Sequence, residues 1–439
     1  MINNPLLIYV VQKTSRVEYI FSTLFEAMGI SNLKLTTDVE QFKFHIGAKI
    51  NYSNNRITAE EYWVMPVELL FEKQIKPQPT NCFIWNDVKG FYKTQDGDFP
   101  FDIFAASFYL LSRYEEYLPH AKDMYGRYAH ENSIAFKEDF LPLPLVNIWL
   151  KEFANQLLQK FPSLVAHSPT FHFVPTYDID MAWSYLHKGF LRNAGGLVTS
   201  ILKGEWKKTK ERLSVLMSRK NDPFNSYQWL YQLHESHRLK PLYFFLLAQT
   251  NKHYDKNILP SSISLKELIQ QHNEKYSVGI HPSWQSGDKA VLLKKEIENL
   301  RQITGKKITK SRQHYIRMQL PDTYKHLIDA GIIEDYSMGY GSINGFRASF
   351  CLPFAWYDLQ KEETTPLLVY PFCYMDANSF YEQHYTAQQA LEELNHYYTV
   401  VKEVDGLLIT IWHNHFLGRD KMFDGWKEVY ENWVGGERK

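Results

Sequence analysis

The chain has 439 residues, of which 44% are hydrophobic and 22% are charged, so its composition excludes a disordered, collagen-like or coiled-coil protein. Its 49 Lys and Arg residues equal its 49 Asp and Glu residues, which argues against nucleic acid as a partner because a phosphate backbone attracts a basic protein. The length predicts at least two domains, at roughly 150 residues per domain.

The amino terminus predicts a strand over residues 6–11 and not a secretion signal. It lacks a basic first segment, and its apolar run ends after six residues. No stretch of the chain reaches the roughly 18 to 20 apolar residues that a membrane span requires. We therefore predict a cytoplasmic protein that is not membrane-spanning.

Residues 1–165 predict a smaller mixed α/β domain without a recognisable function. Helical spacing or β-type runs occur in residues 17–28, 33–37 and 82–85. The clearest element is a buried helix over residues 102–118, whose polar side is predicted to carry Arg113, Glu115 and Glu116.

A second domain, residues 166–439, is predicted to begin near Pro169, where the sequence is rich in proline. Its apolar runs are nearly continuous, as in parallel strands that are covered on both faces. The predicted strands are residues 171–177, 242–248, 277–280, 308–314, 333–336, 367–372 and 407–412. Such strands, separated by helical segments, predict an α/β fold with a closed or nearly closed barrel and active residues at the carboxyl ends of the strands. Residues 191–222 read as a basic helical insertion.

Acidic, basic and imidazole side chains follow these strands. Asp178 and Asp180 project to the same side of an extended chain, where their charges repel unless a cation lies between them or one is protonated. Alone, this pair would more often be two solvated loop residues or a helix cap. The later strand ends carry His281, Arg312, His314, Tyr315, Asp376 and His413. One carboxylate with one or two imidazoles suits a divalent cation such as zinc, cobalt, nickel or ferrous iron.

The order of these residues resembles the polysaccharide deacetylase superfamily, carbohydrate esterase family 4. The first motif of that family is Thr-Phe-Asp-Asp, and Thr176-Tyr-Asp-Ile-Asp180 is similar to it with one residue inserted. The resemblance implies a distorted (β/α)7 barrel preceded by the smaller domain. It also implies that Asp178 is the general base and that Asp180 is a metal ligand.

The second and third motifs of the family are altered in this chain. Val278-Gly-Ile-His281 is similar to the first half of a His-x-x-x-His motif, but Gln285 stands where the second histidine ligand should be. Arg312-Gln-His-Tyr315 resembles an Arg-x-Pro-Tyr motif, with His314 in place of the proline. The resemblance therefore suggests His281 and His314 as the two imidazole ligands.

Further roles follow from the same resemblance. Ile411-Trp-His413 is similar to a Leu-x-His motif, which implies that His413 is the general acid and that Asp376 orients it. Arg312 would pair with Asp178, and the Tyr315 N–H would donate to an oxyanion. The implied enzyme is a metal-dependent carbohydrate deacetylase, a hydrolase of carbon–nitrogen bonds other than peptide bonds. It would use zinc, or else cobalt, nickel, manganese or iron, on an N-acetylated or O-acetylated sugar.

Several side chains near the motifs are candidates for contact with substrate. Trp284 and Trp412 could stack on sugar rings, as could Trp183 and Trp356, although each ring could equally be a packing residue. Arg347 either binds an anionic or polar substrate group or pairs with a structural carboxylate.

Two other functions remain open at the level of sequence. Loss of the second histidine at Gln285 is compatible with an inactive deacetylase relative that acts as a carbohydrate-binding or scaffold protein. Another metal hydrolase, such as a phosphoesterase, is also compatible, although it would need more cationic groups around the metal than Arg312 and Arg347 supply.

Overall fold

The computed structural model describes residues 5–167 and 169–436 and contains a smaller and a larger β-sheet with flanking helices. The strands are β1 Leu6–Val10, β2 Leu33–Thr36, β3 Lys49–Tyr52, β4 Tyr62–Val64, β5 Phe83–Trp85, β6 Val88–Gly90, β7 His172–Ile179, β8 Leu242–Leu246, β9 Ser277–His281, β10 Lys310–Ser311, β11 Glu334–Asp335, β12 Phe354–Asp358, β13 Glu363–Val369, β14 Tyr374–Met375 and β15 Leu407–His413. The helices are α1 Ser15–Ala27, α2 Val39–Lys43, α3 Ile103–Leu111, α4 Ile134–Lys137, α5 Leu145–Lys160, α6 Phe190–Leu202, α7 Trp206–Leu216, α8 Tyr227–Ser236, α9 Ile263–Lys275, α10 Ala290–Thr304, α11 Asp322–Asp329, α12 Ala387–Glu403 and α13 Trp426–Val434.

The smaller sheet has the order β2-β1-β3-β4, with parallel pairing throughout. Helix α1 begins after Thr14, whose side chain accepts a hydrogen bond from the Val17 N–H and so satisfies a donor that the helix leaves free. Its apolar positions recur at helical spacing and are buried. Helix α3 is also buried as predicted, but it ends at Leu111.

The larger sheet has the order β12-β13-β11-β10-β9-β8-β7-β15-β14. It contains all seven strands predicted from the sequence, and these strands pair in parallel with their neighbours. Strand β12 adds an antiparallel edge that the sequence did not predict. Within the described residues no pairing joins the two ends of this sheet, so the fold is mixed α/β and closure into a barrel is not shown.

Both faces of the larger sheet are buried, which explains its apolar strands. All five residues of β8 are buried, and they alternate between two apolar clusters. Tyr243 and Phe245 belong to the cluster that also includes the core of the first 165 residues, whereas Leu242 and Phe244 belong to a smaller cluster on the opposite face. No helix within the described ranges combines the length and apolar character needed to cross a membrane.

Candidate active site

The polar site lies at the carboxyl ends of the parallel strands. Strand β7 carries Asp178, and Asp180 follows it directly. In the pairing of β7 with β15, Asp178 lies opposite His413. Because parallel strands present their carboxyl ends at one edge, side chains from distant parts of the sequence meet there.

Asp180, His281 and His314 form a compact cluster in which one possible ligand atom from each residue lies within 4.8 Å of the other two. His281 Nε2 is 3.1 Å from Asp180 Oδ1, and His314 Nε2 is 3.5 Å from Asp180 Oδ2. Although it lies this close to His281, the buried Oδ1 atom makes no hydrogen bond within the described part of the chain. A buried carboxylate oxygen without a hydrogen-bond partner is costly unless a cation satisfies it.

The outer nitrogens of both imidazoles are held by acceptors. His281 Nδ1 lies 2.5 Å from the Arg312 carbonyl oxygen, and His314 Nδ1 lies 3.0 Å from Asp255 Oδ1. A proton on Nδ1 in each ring leaves the Nε2 lone pair free towards Asp180. The donor set therefore fits a divalent cation of the zinc type, and these three residues can hold a metal ion.

Asp255 is a buried residue of the site that the sequence did not reveal. Besides His314, its Oδ1 accepts a hydrogen bond from the Trp284 N–H at 2.9 Å, and its Oδ2 accepts one from Gln285 Nε2 at 2.9 Å. Gln285, which replaces a ligand histidine in the family resemblance, thus contacts the carboxylate behind His314. Asp255 lies in a loop after β8 without a motif, so nothing in the sequence pattern marks it.

Asp178 pairs with a completely buried arginine. Arg312 Nη1 lies 3.1 Å from Asp178 Oδ1 and donates to Thr176 Oγ1 at 2.5 Å, while Arg312 Nε donates to the Tyr336 carbonyl at 3.0 Å. The guanidinium also lies over the Phe244 ring, 4.6 Å from its centroid. Burial lowers the pKa of Arg312, and the Asp178 carboxylate opposes that change. The geometry favours an ionised Asp178.

His413 is held by a buried carboxylate. Its Nδ1 lies 2.6 Å from Asp376 Oδ1, and its backbone N–H donates to Asp376 Oδ2 at 2.7 Å. Its Nε2 faces the cluster, 3.4 Å from Asp180 Oδ2. Burial lowers the pKa of His413, but Asp376, with Asp180 and Asp178, outweighs burial and raises that pKa to about 10. The imidazole can therefore carry a proton at neutral pH.

A cavity of about 440 Å³ opens on these residues. Tyr315 forms part of its wall with a backbone φ of 59°, a strained conformation for a residue with a side chain. Tyr125 and Arg127 also line the cavity, although the sequence of the first 165 residues suggested no contribution to chemistry. Two larger grooves, of about 780 and 1050 Å³, lie elsewhere, and the described residues that line them include no histidine.

The structure does not place two predicted substrate-binding residues in the cavity. Trp412 is completely buried and packs against Tyr430, with a ring-centroid distance of 4.4 Å. Arg347 is buried, and its Nε and Nη2 donate to the two Glu116 oxygens at 2.8 and 2.6 Å, so it pairs with a structural carboxylate. The predicted polar side of the first domain's helix, including Glu116, is thus buried.

The remaining tryptophans lie outside the cavity lining. Trp183 and Trp356 are buried, as packing residues would be. Trp284 is half-buried beside the cavity, and its ring lies 4.3 Å from that of Tyr254 and 6.0 Å from that of Tyr125. Tyr381, 45% exposed, is an aromatic residue of the cavity wall that the sequence analysis missed.

Comparisons with known proteins place a likeness on each part of the chain. Residues 6–162 match a family described as a family of unknown function, DUF7033. No curated protein matches the chain. A candidate polysaccharide deacetylase from Mycobacterium smegmatis has a similar structure, with a TM-score of 0.39 and 12% identity over 61% of this chain and 84% of that chain. A polysaccharide deacetylase from Bacillus cereus has a TM-score of 0.30 and 9% identity over 60% of this chain and 87% of that chain.

Proposed function

We propose that this protein is a metal-dependent deacetylase of a carbohydrate, with an N-acetylated sugar as the first choice of substrate. The observation that carries the proposal is the arrangement around Asp180, which is met by the Nε2 atoms of His281, His314 and His413. The motif order resembling carbohydrate esterase family 4 supports the choice of reaction. The proposal includes residues 166–439 as a distorted (β/α)7 barrel and residues 1–165 as a separate domain.

Asp180, His281 and His314 would hold the metal, for which zinc is the first choice on ligand type. When bound, a divalent metal supplies Lewis acidity to a carbonyl and to a water molecule. Asp178, held ionised by Arg312, accepts a proton from the attacking water. The N–H of Tyr315 would donate to the developing oxyanion, in a region where the backbone is already fixed.

His413 then donates its Nε2 proton to the departing amine. Asp376 holds the imidazole in the orientation that directs Nε2 into the site and stabilises its protonated form. The two proton-transfer groups thus belong to separate pairs, Asp178 with Arg312 and His413 with Asp376. Their carrier strands β7 and β15 are neighbours in the sheet, which fixes both groups on one side of the cavity.

Acetate release from a panel of N-acetylated and O-acetylated sugars tests the reaction after reconstitution with zinc. We expect Asp178→Asn and His413→Ala each to reduce kcat by about 10²- to 10⁴-fold, the usual contribution of a positioned acid or base. The matched control is Asp102→Asn, a buried aspartate of the smaller domain. Phosphate release from a phosphomonoester without acetate release would instead indicate a phosphoesterase.

Metal analysis separates this enzyme from a non-catalytic relative. We expect one divalent ion per chain after reconstitution and a loss of that ion in Asp180→Ala. A chain that binds less than one equivalent of metal, with no further loss in Asp180→Ala, would contradict the proposal and favour a carbohydrate-binding or scaffold protein.

A further inference from the structure

The α6–α7 hairpin exposes its apolar side chains to solvent and buries polar ones. Phe190 and Leu191 are each 84% exposed, and Leu202 is 82% exposed. On α6 the buried positions are instead Asn193 and Ser200. This is the reverse of a helix that packs its apolar stripe on a protein core.

Helix α7 repeats the same arrangement. Trp206 is 61% exposed, and Leu213 and Leu216 are also exposed, whereas Thr209 is buried. Exposed positions 206, 213 and 216 recur at helical spacing and share one face. A contiguous apolar patch of this kind on an otherwise soluble surface indicates an interaction site.

Polar contacts hold the inner side of the hairpin in place. Asn193 Nδ2 donates to the Tyr185 carbonyl at 2.9 Å, and Arg212 Nη1 donates to Asn193 Oδ1 at 3.1 Å. The Asp222 carboxylate accepts hydrogen bonds from the backbone of residues 184–186, so it joins the two ends of the insertion. The outward apolar side is therefore a built feature of the hairpin.

The same segment is strongly basic in a chain without net charge. Residues 188–220 contain nine Lys and Arg residues and two Asp and Glu residues, a net charge of +7 that an equal acidic excess balances elsewhere in the chain. Lys203, Lys207, Lys208 and Lys210 surround the exposed apolar residues and are themselves exposed. Apolar and aromatic side chains flanked by Lys and Arg are characteristic of helices that lie in a membrane interface.

We infer that the α6–α7 hairpin docks this protein on the surface of an anionic lipid bilayer. The bilayer accepts the apolar side chains among its acyl chains, and its anionic headgroups attract the surrounding lysines. A second copy of the chain is disfavoured as the occupant, because two surfaces of charge +7 would face each other. The acidic excess on the rest of the chain would orient the protein with this hairpin towards the membrane.

The hairpin adjoins the candidate active site. It begins shortly after Asp180, His187 Nδ1 lies 2.8 Å from Ser264 Oγ, and Arg192 Nη2 donates to the carbonyl of Lys256, the neighbour of Asp255. If the proposed function holds, docking would bring the cavity close to sugars carried by the membrane. The docking itself does not depend on that function.

Vesicle sedimentation tests the inference with the full chain and needs no activity. We expect binding to phosphatidylcholine vesicles that contain roughly 30% phosphatidylglycerol, little binding to phosphatidylcholine alone, and weaker binding as salt rises above about 0.1 M. The variant F190S/L191S/L202S should bind at least about tenfold more weakly, because three side chains lose their insertion. The control F44S/I46S/V291S removes three equally exposed apolar side chains elsewhere and should bind as the unmodified chain does.

A charge variant separates the two contributions to binding. K203E/K207E/K210E should lose most binding to the anionic vesicles, and circular dichroism should show that its folding is unchanged. Equal binding to both vesicle types, no binding, or full binding by F190S/L191S/L202S would overturn the inference. A dimer in solution that F190S/L191S/L202S dissociates would also overturn it, since the hairpin would then be an interface between copies.

Discussion

Substitution of Asp255 by Asn is expected to weaken zinc binding about tenfold without unfolding the protein. The carboxylate is completely buried, and its Oδ1 accepts hydrogen bonds from His314 Nδ1 and the Trp284 N–H. The Asn oxygen can keep both contacts, so the main loss is the negative charge behind His314. A hydrogen bond to a charged group contributes about 1.5 to 3 kcal/mol, against about 0.5 to 1.5 kcal/mol for a neutral pair. The difference of about 1.4 kcal/mol corresponds to a factor of ten.

Competition with a coloured chelator measures the zinc Kd of the unmodified protein and of Asp255→Asn. Asp102→Asn is the matched control, because Asp102 is also a completely buried aspartate but lies near the smaller sheet, where its Oδ2 accepts from Tyr52. An unchanged Kd in a folded Asp255→Asn protein would refute the role of Asp255 in orienting His314. An equal loss in Asp102→Asn would show that reduced stability, and not His314, weakens zinc binding.

Three more substitutions test other parts of the structure. Arg347→Met should lower the free energy of unfolding by about 3 to 5 kcal/mol in denaturant titrations, because it removes a partner of the buried Glu116 charge. Asp376→Asn should move the alkaline limb of the kcat profile to lower pH, since the pKa of His413, raised to about 10 mainly by Asp376 against the effect of burial, falls and the general acid loses its proton earlier. Burial raises the pKa of Glu296 from 4.5 to about 7, so the folded state binds its proton more tightly than the unfolded state does. The free energy of unfolding should therefore fall by about 3 kcal/mol as pH rises from 4.5 through 7, and Glu296→Gln should abolish that change.

Continuous apolar runs allowed the sequence to predict every parallel strand of the larger sheet. Strand β8 was clear because both of its faces are covered, whereas β10 and β11 pair over two residues each and were predicted too long. The antiparallel strand β12 was missed because its residues follow a proline and a loop. Closure of the sheet depends on pairing between distant strands, which no local pattern contains.

Strand alternation explains why the prediction for Trp412 was wrong. Successive residues of a strand point to opposite faces, so a His413 side chain that faces the cavity requires Trp412 to face the other way. The structure follows this rule, with Ile411 in the inner apolar cluster and Trp412 in the outer one. The period of a strand was therefore sufficient to exclude Trp412, and proximity in sequence to a motif was misleading.

The long-range partners of the site could not be predicted in the same way. His314 was named from a substitution within a motif, and the structure does bring it to Asp180. Asp255 and Arg347 depend instead on contacts between distant segments, and Arg347 meets Glu116 across 231 positions of sequence. A single sequence contains no signal for such pairs, because either partner alone resembles an ordinary surface charge.

The cavity is built from both parts of the chain, which changes how the first 165 residues should be regarded. Arg127 Nη1 donates to the Tyr315 carbonyl at 2.7 Å, its Nε donates to Asp123 at 2.6 Å, and the Tyr125 ring lies 5.4 Å from the Tyr315 ring. A left-handed conformation at a residue such as Tyr315 costs about 1 to 3 kcal/mol, so it persists only where surrounding contacts hold it. Arg127 is one of those contacts, and it belongs to the first part of the chain. The segment that showed no chemistry in its own sequence thus fixes the backbone beside the metal-binding cluster.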